Sequence, residues 1–143
     1  MRNFLFCARG AAAVEAAIFA PLFLLFMVGI TDLGAGMFVK MTANAAAQAG
    51  AAYAAFNVTA TCSTFTTTCL GNIKTAMNDA ANDASFCTGS VCTASMSPPT
   101  CTVGSTCVIT VSANYPYTPI LPDAVYTWGK TQTYSSTVII RIQ

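Results

Sequence analysis

Residues 9–15 read Arg-Gly-Ala-Ala-Ala-Val-Glu, and a long apolar run begins directly after them at Ala16. The run reaches Val39 with only Thr31 and Asp32 as polar interruptions. At a rise of about 1.5 Å per residue, a helix of this length crosses the roughly 30 Å hydrocarbon core of a bilayer. The sequence therefore predicts a membrane-spanning helix around which the rest of the chain is organised.

The helix is predicted to continue past Lys40 to about Phe56, because residues 43–55 are mostly alanine, the strongest helix former. Ala46, Gly50 and Ala54 are spaced four residues apart. Small residues at this spacing let another helix approach closely, so we expect helix packing at this stripe.

Three polar or helix-breaking residues mark positions along this helix. Glu15 lies at the start of the apolar run, where a carboxylate is costly unless it has a partner or a role. Asp32 lies about 25 Å farther along the axis, near the other bilayer face, and is expected to reach water. Pro21 lacks an amide donor and predicts a kink.

Composition excludes several classes of function. Of the 143 residues only 8% are charged, against about 25% in a typical soluble domain. A net charge of +1 without a basic cluster excludes nucleic acid as a partner. The absence of histidine, of a Cys-x-x-Cys pair and of a phosphate-binding glycine loop leaves no catalytic, metal or cofactor site. The chain is not expected to be an enzyme.

Seven cysteines divide around the apolar run, with Cys7 before it and six after it. An even set beyond a membrane helix is typical of disulfides in an oxidising compartment. The six are Cys62, Cys69, Cys87, Cys92, Cys101 and Cys107. We expect the first two to pair with each other. The other four either pair in sequence or form a nested set, 87 with 107 and 92 with 101.

Basic residues indicate the orientation of the helix. Arg2 and Arg9 precede the run and Lys40 follows it, which places the N-terminus in the cytoplasm. The alternative is a cleaved secretion signal, with small-x-small sites at residues 43–45 and 45–47. The apolar run is too long for such a signal, so we prefer a retained helix.

Residues 57–143, here called the head, are long enough for one small core. Apolar spacing predicts an amphipathic helix over residues 71–86, and alternation predicts strands over residues 107–113 and 131–142. Three prolines predict that residues 114–122 leave regular strand pairing. The expected fold is α+β: a long N-terminal helix and a disulfide-stapled head with a short helix and an antiparallel sheet of three or four strands.

Several motifs share one register. Gly10 is followed by Glu15 and Pro21, and Ala-Ala-Gln-Ala-Gly-Ala occupies residues 46–51. Residues 111–119 read Val-Ser-Ala-Asn-Tyr-Pro-Tyr-Thr-Pro. Together these segments resemble the TadE-like pseudopilins, the minor pilins of tight-adherence (Tad, or type IVb Flp) pilus systems. The chain departs from that family where an aromatic residue usually follows the glutamate and arginines are common near Gly50.

The resemblance implies three parts of the chain. Residues 1–10 are a leader that a prepilin peptidase removes by cutting between Gly10 and Ala11. Residues 11–56 are the transmembrane and stem helix, and residues 57–143 are the periplasmic or extracellular head, pilin-like in fold. The resemblance also implies an assembly role for Glu15, which faces the new amine of a neighbouring subunit.

The resemblance further implies a function in adhesion and biofilm formation, as a minor pilin that primes, tips or joins a pilus. The implied partners are the prepilin peptidase, other pilins or pseudopilins through the helix, an inner-membrane assembly platform and the lipid bilayer. The implied location is the bacterial inner membrane, as a single-pass protein, and the cell surface after assembly. Two alternatives remain open: a permanently anchored component of the assembly machinery, and a secreted disulfide-rich adhesin.

Overall fold

The computed structural model describes residues 4–57, 62–101, 105–120 and 130–142, with the side chains of α1 described at residue 10 and from residue 12 onward. Its elements are α1 (Phe4–Phe56), α2 (Thr67–Ala81), β1 (Cys92–Ser97), β2 (Cys107–Tyr117) and β3 (Gln132–Ile142). The predicted α+β class is confirmed.

Helix α1 is continuous over its 53 residues and includes Pro21. Its predicted extension to Phe56 is confirmed, whereas the kink at Pro21 stays a prediction. Side chains from Ala12 to Met27 are exposed, and one face of the helix becomes buried from Gly36 onward. The helix therefore has a bare N-terminal half and a C-terminal half that belongs to the core of the head.

The three strands form one antiparallel sheet in the order β1-β2-β3. Cys92 pairs with Ala113 at one end of the β1–β2 ladder, and Tyr117 pairs with Gln132 at the end of the β2–β3 ladder. Strand β1 was not predicted, although its Cys-Thr-Ala-Ser-Met-Ser sequence alternates between less and more exposed residues. The number of strands agrees with the predicted three or four.

The expectation that residues 114–122 leave regular pairing is wrong for residues 114–117, because β2 continues to Tyr117 and pairs Pro116 with Thr133. The backbone N–H of Asn114 points toward β1, where it donates to the carbonyl of Val91 at 2.7 Å. Amide directions alternate along an antiparallel strand, so the nitrogen of Pro116 faces the same side. Strand β1 does not reach that level, and the missing donor leaves no ladder bond unmade.

The boundaries predicted for the head helix are also wrong, because α2 covers residues 67–81 and not 71–86. Thr66 caps its start: the side-chain oxygen accepts a hydrogen bond from the amide of Cys69 at 3.3 Å. Asn82 ends the helix in a left-handed conformation with φ 53°, and its N–H returns to the carbonyl of Asp79. Because these residues cap it, the observed helix lies about one turn closer to the N-terminus than the predicted one.

The core lies where the small residues of α1 meet α2 and the sheet. Ile73 and Met77 of α2 and Ile109 and Val111 of β2 are completely buried. A Cβ atom at Gly50 would lie 2.6 Å from Cγ of Met77 and 3.2 Å from Cγ1 of Val111. The small residues of α1 therefore allow both α2 and the sheet to approach its backbone.

Three disulfides staple the head, and the structure pairs the cysteines in sequence. The bonds are Cys62–Cys69, Cys87–Cys92 and Cys101–Cys107. Of the two arrangements that the sequence left open for the last four cysteines, the structure has the sequential one. The first bond joins the segment after α1 to the first turn of α2, and the third joins the segment after β1 to the start of β2.

Candidate functional site on the N-terminal helix

The most unusual surface of the protein is the bare half of α1. Phenylalanine, leucine, isoleucine, methionine and valine side chains between Val14 and Met27 are about half or more exposed and lie on all sides of the helix. An apolar surface of this extent indicates a lipid or protein partner. Helix α1 is also long and apolar enough to cross a membrane, which fits a single-pass protein.

Gly10 and Ala11 both lie in α1. Gly10 is exposed, and a Cβ atom there would have no neighbour within 4 Å outside the adjoining helix backbone. Packing in the described part of the protein therefore gives no reason for a glycine at this position, in contrast to Gly50.

Glu15 lies in the same bare half and is exposed. Among the described residues, no hydrogen bond or ion pair satisfies its carboxylate. A carboxylate in an apolar setting is costly when it is unpaired.

The head reaches α1 at Asp32. Oδ1 of this half-buried residue accepts a hydrogen bond from the hydroxyl of Tyr117 at 2.5 Å and another from the backbone N–H of Ile120 at 3.1 Å. Asp32 was expected to reach water; it is partly exposed, and its carboxylate also binds the head. The hydrogen bond to Asp32, with smaller contributions from burial and from the negative charge of Asp32, raises the pKa of Tyr117 to about 12.

One helical turn farther along, Gly36 is buried beneath Tyr134 of β3. A Cβ atom at Gly36 would lie 2.8 Å from the Tyr134 hydroxyl oxygen and 3.7 Å from Cε1 of Tyr117. The two tyrosine rings themselves lie 6.1 Å apart, tilted by 48°. The absence of a side chain at Gly36 thus allows both rings to lie close to the helix beside Asp32.

The predicted packing stripe is buried within the chain. Ala46 and Ala54 are almost completely inaccessible, and Gly50 lies against Met77 of α2. The helix that occupies this stripe is α2 of the same chain. Pro21, in contrast, lies in the bare half of α1.

No constellation typical of catalysis is present in the described residues. A cavity of about 210 Å³ lies between α1, the end of α2 and β2, and Asp83 is its one carboxylate. The hydroxyl and amide of Ser85 donate hydrogen bonds to Asp83 and lower its pKa. No group of three or more His, Cys, Asp or Glu side chains that could hold a metal ion occurs in the part of the chain that the structure describes.

Comparison with known families bears on most of α1. Residues 10–52 match the family model described as TadE-like protein. This part of the chain is TadE-like. The resemblance seen in the sequence is thus confirmed for residues 10–52, and it suggests a pilin-like protein associated with a Tad pilus. Searches of curated proteins and of solved structures give no significant match to the chain.

The TadE-like segment includes Gly10, Ala11, Glu15, Pro21 and the stripe up to Gly50. No enzymatic activity is known for the TadE-like family, and proteins of a Tad pilus contact other pilus components. Adhesion and biofilm formation are consistent with Tad pili. The junction of Asp32 with Tyr117 was not found by sequence reasoning, since no local pattern links residues so far apart in the chain.

Proposed function

We propose that this chain is a minor pilin or pseudopilin of a Tad pilus. A prepilin peptidase cuts it between Gly10 and Ala11, and it assembles through α1 to prime, tip or join the pilus for adhesion. The observation that carries this proposal is the division of α1: its N-terminal half is bare and apolar, and the described part of the head packs only on its C-terminal half.

The head fixes how deep α1 can enter a bilayer. Because Asp32 is covered by Tyr117 and Ile120, hydrocarbon surrounds the helix only below that level. The 20 residues from Ala12 to Thr31 supply the roughly 30 Å that a spanning helix needs. Glu15 then lies about 5 Å inside the cytoplasmic edge of the hydrocarbon.

At this depth the carboxylate of Glu15 is unfavourable in lipid. Its carboxylate has no partner among the described residues, and an amine of opposite charge offsets the cost of burying it. In the proposed assembly the new amine of Ala11 on one subunit meets Glu15 of another. The contact fixes the axial register of the two helices and favours movement from lipid into a helical bundle.

The buried alanines of α1 argue for a retained helix and against a secreted adhesin. Ala43, Ala46 and Ala47 are within one per cent of complete burial in the core of the head. A signal peptidase cut at residues 45 or 47 removes Asp32 and Gly36 and leaves Tyr117 and Tyr134 without the helix that they contact. The permanently anchored alternative keeps α1 and differs only at the N-terminus.

Mass spectrometry of the N-terminus of the protein from its native host tests the proposal. We expect the mature chain to begin at Ala11. A chain that still begins at Met1 contradicts processing and favours the anchored alternative, and one that begins near Ala46 favours secretion.

Two matched variants make this test sharper. A Cβ atom has open space at both Gly10 and Gly29, so valine at either position leaves packing intact. Gly10→Val should abolish cutting, whereas Gly29→Val should leave it unchanged. Equal cutting of both variants contradicts the assignment of Gly10 to the peptidase site.

A further inference from the structure

The connection from β2 to β3 has its described ends close to the bare half of α1. These ends, residues 118–120 and 130–131, are here called the tip. The backbone N–H of Ile120 is bonded to Oδ1 of Asp32, and the hydroxyls of Thr118 and Thr131 lie 3.4 Å apart. The tip is therefore held to α1 at the level of Asp32.

The chemistry of the tip is that of a membrane interface. Ile120 is 69% exposed, and the polar residues Thr118, Lys130 and Thr131 around it are exposed as well. Apolar side chains insert at the edge of the hydrocarbon, hydroxyls remain among headgroups, and lysine is attracted to lipid phosphates. Such a mixture suits the boundary between lipid and water better than either phase alone.

The apolar surface of α1 is continuous with the tip. Ile30 and Leu33, which flank Asp32 in sequence, are each about two-thirds exposed. Exposed apolar side chains thus continue from the bare helix past Asp32 while Ile120 lies at the same level on the head. A bilayer that surrounds Ala12–Thr31 has its head-side boundary at this level, because about 20 residues cross the hydrocarbon core.

We propose that the tip rests in the headgroup layer of the leaflet on the head side of the membrane. Ile120 enters the outer edge of the acyl chains, and the ammonium group of Lys130 binds lipid phosphate. The head then has a second contact with the bilayer besides α1, which restricts its tilt until the chain is extracted. This proposal depends on the membrane-spanning position of α1 in the proposed function.

Depth-dependent fluorescence quenching tests the proposal on the full chain in phosphatidylcholine vesicles that contain phosphatidylglycerol. In a Trp128→Phe background, Ile120→Trp is compared with Ile139→Trp. Ile139 is 64% exposed and lies on β3 about 27 Å from Thr131 of the tip along the strand, so it is a control of similar exposure. Phe23→Trp, in the bare half of α1, reports insertion of the helix itself.

Vesicles brominated near the headgroup end of one acyl chain should reduce the emission of the Ile120→Trp protein and leave that of the Ile139→Trp protein unchanged. Equal quenching of these two proteins, with the Phe23→Trp protein quenched in vesicles brominated near the methyl end of the acyl chain, overturns the tip contact but leaves the spanning helix. A concentration-dependent change for Ile120→Trp without quenching indicates a second copy as the occupant and also overturns it. Absence of quenching for Phe23→Trp in vesicles brominated near the methyl end of the acyl chain overturns both the tip contact and the membrane span.

Discussion

The hydroxyl of Tyr117 lies 2.5 Å from Oδ1 of Asp32, although 85 residues separate the two in sequence. The same oxygen accepts the N–H of Ile120, so one carboxylate holds both the end of β2 and the following segment. Asp32 ends the bare half of α1, so this is the lowest contact that the described part of the head makes with the helix. It links the position of the head to the position of the membrane.

Removing the Tyr117 hydroxyl should weaken this attachment. Because hydrogen bonds to charged groups are stronger than neutral ones but Tyr117 is half exposed, we expect Tyr117→Phe to lower the free energy of unfolding by about 1 kcal/mol. Tyr134→Phe is the matched control. The Tyr134 hydroxyl lies against Gly36 and makes no hydrogen bond among the described residues, so its removal breaks none. Denaturant unfolding in detergent micelles measures both variants.

Hydrogen exchange supplies a local measurement for the same variant. The amide of Ile120 should exchange faster in Tyr117→Phe, because the remaining bond to Asp32 loses its neighbour. Unchanged exchange at Ile120 together with unchanged stability contradicts the role of the Asp32 contact in holding the head.

The raised pKa of Tyr117 predicts a loss of stability in alkali. Its ordinary pKa is 10.0, and the folded value is about 12. The folded state therefore holds the phenol proton more tightly than the unfolded state. The contribution of Tyr117 to stability is complete below pH 10 and is lost as the pH rises through 12. Spectrophotometric titration should show one late phenol that is absent in Tyr117→Phe, and early titration of all tyrosines contradicts the prediction.

Close packing at Gly50 predicts that valine lowers stability at this position but not at an open glycine position. Gly50→Val forces its side chain against Met77 and Val111, and overpacking of this kind costs about 1–3 kcal/mol. Gly71→Val lies on the exposed face of α2 with open space around it and should change stability by no more than about 0.5 kcal/mol. Thermal or denaturant unfolding of the protein measures the stability of both variants. Equal stability of the two variants contradicts the close approach of α2 to α1.

Sequence reasoning located the parts of this fold that depend on local patterns. The unbroken helix to Phe56 follows from alanine content and hydrophobic length, and β3 follows from its threonine, valine and isoleucine content. Helix α2 was placed about one turn too late because Thr67 and Thr68, weak helix formers, conceal a start that Thr66 caps. Strand β1 was missed because its residues are small and a proline pair follows it.

Some residues of the candidate site could likewise be identified from the sequence, and others could not. Gly10 and Glu15 stand in a short motif that was singled out through its resemblance to TadE-like proteins. Asp32 looked like an ordinary interfacial acid, because only the folded sheet brings Tyr117 and Ile120 to it. The stripe at Gly50 indicated a close neighbour, but spacing cannot say whether that neighbour belongs to the same chain.

The sequential disulfides predict a change in thiol content on processing. All six cysteines of the head are paired, and Cys7 lies in the proposed leader. Under non-reducing denaturing conditions the unprocessed chain should take one alkyl group and the processed chain none. Intact mass after alkylation measures this. Labels on the processed chain contradict either the pairing or the cleavage site, and peptide mapping separates these two outcomes.

Glu15 should be needed for assembly and dispensable for cutting. Five residues separate it from Gly10, and its carboxylate has no partner among the described residues. Glu15→Ala and Glu15→Gln remove the charge that meets the Ala11 amine of a neighbour, so both variants should mature normally yet remain in the membrane. Asp79→Ala, which removes an exposed acid from α2, should enter sheared pili as the native protein does. Immunoblots of pilus and membrane fractions measure the distribution. Normal amounts of Glu15→Ala in the pilus fraction contradict the assembly role, since the only acid that the bare half of α1 carries would then be unnecessary for leaving the lipid.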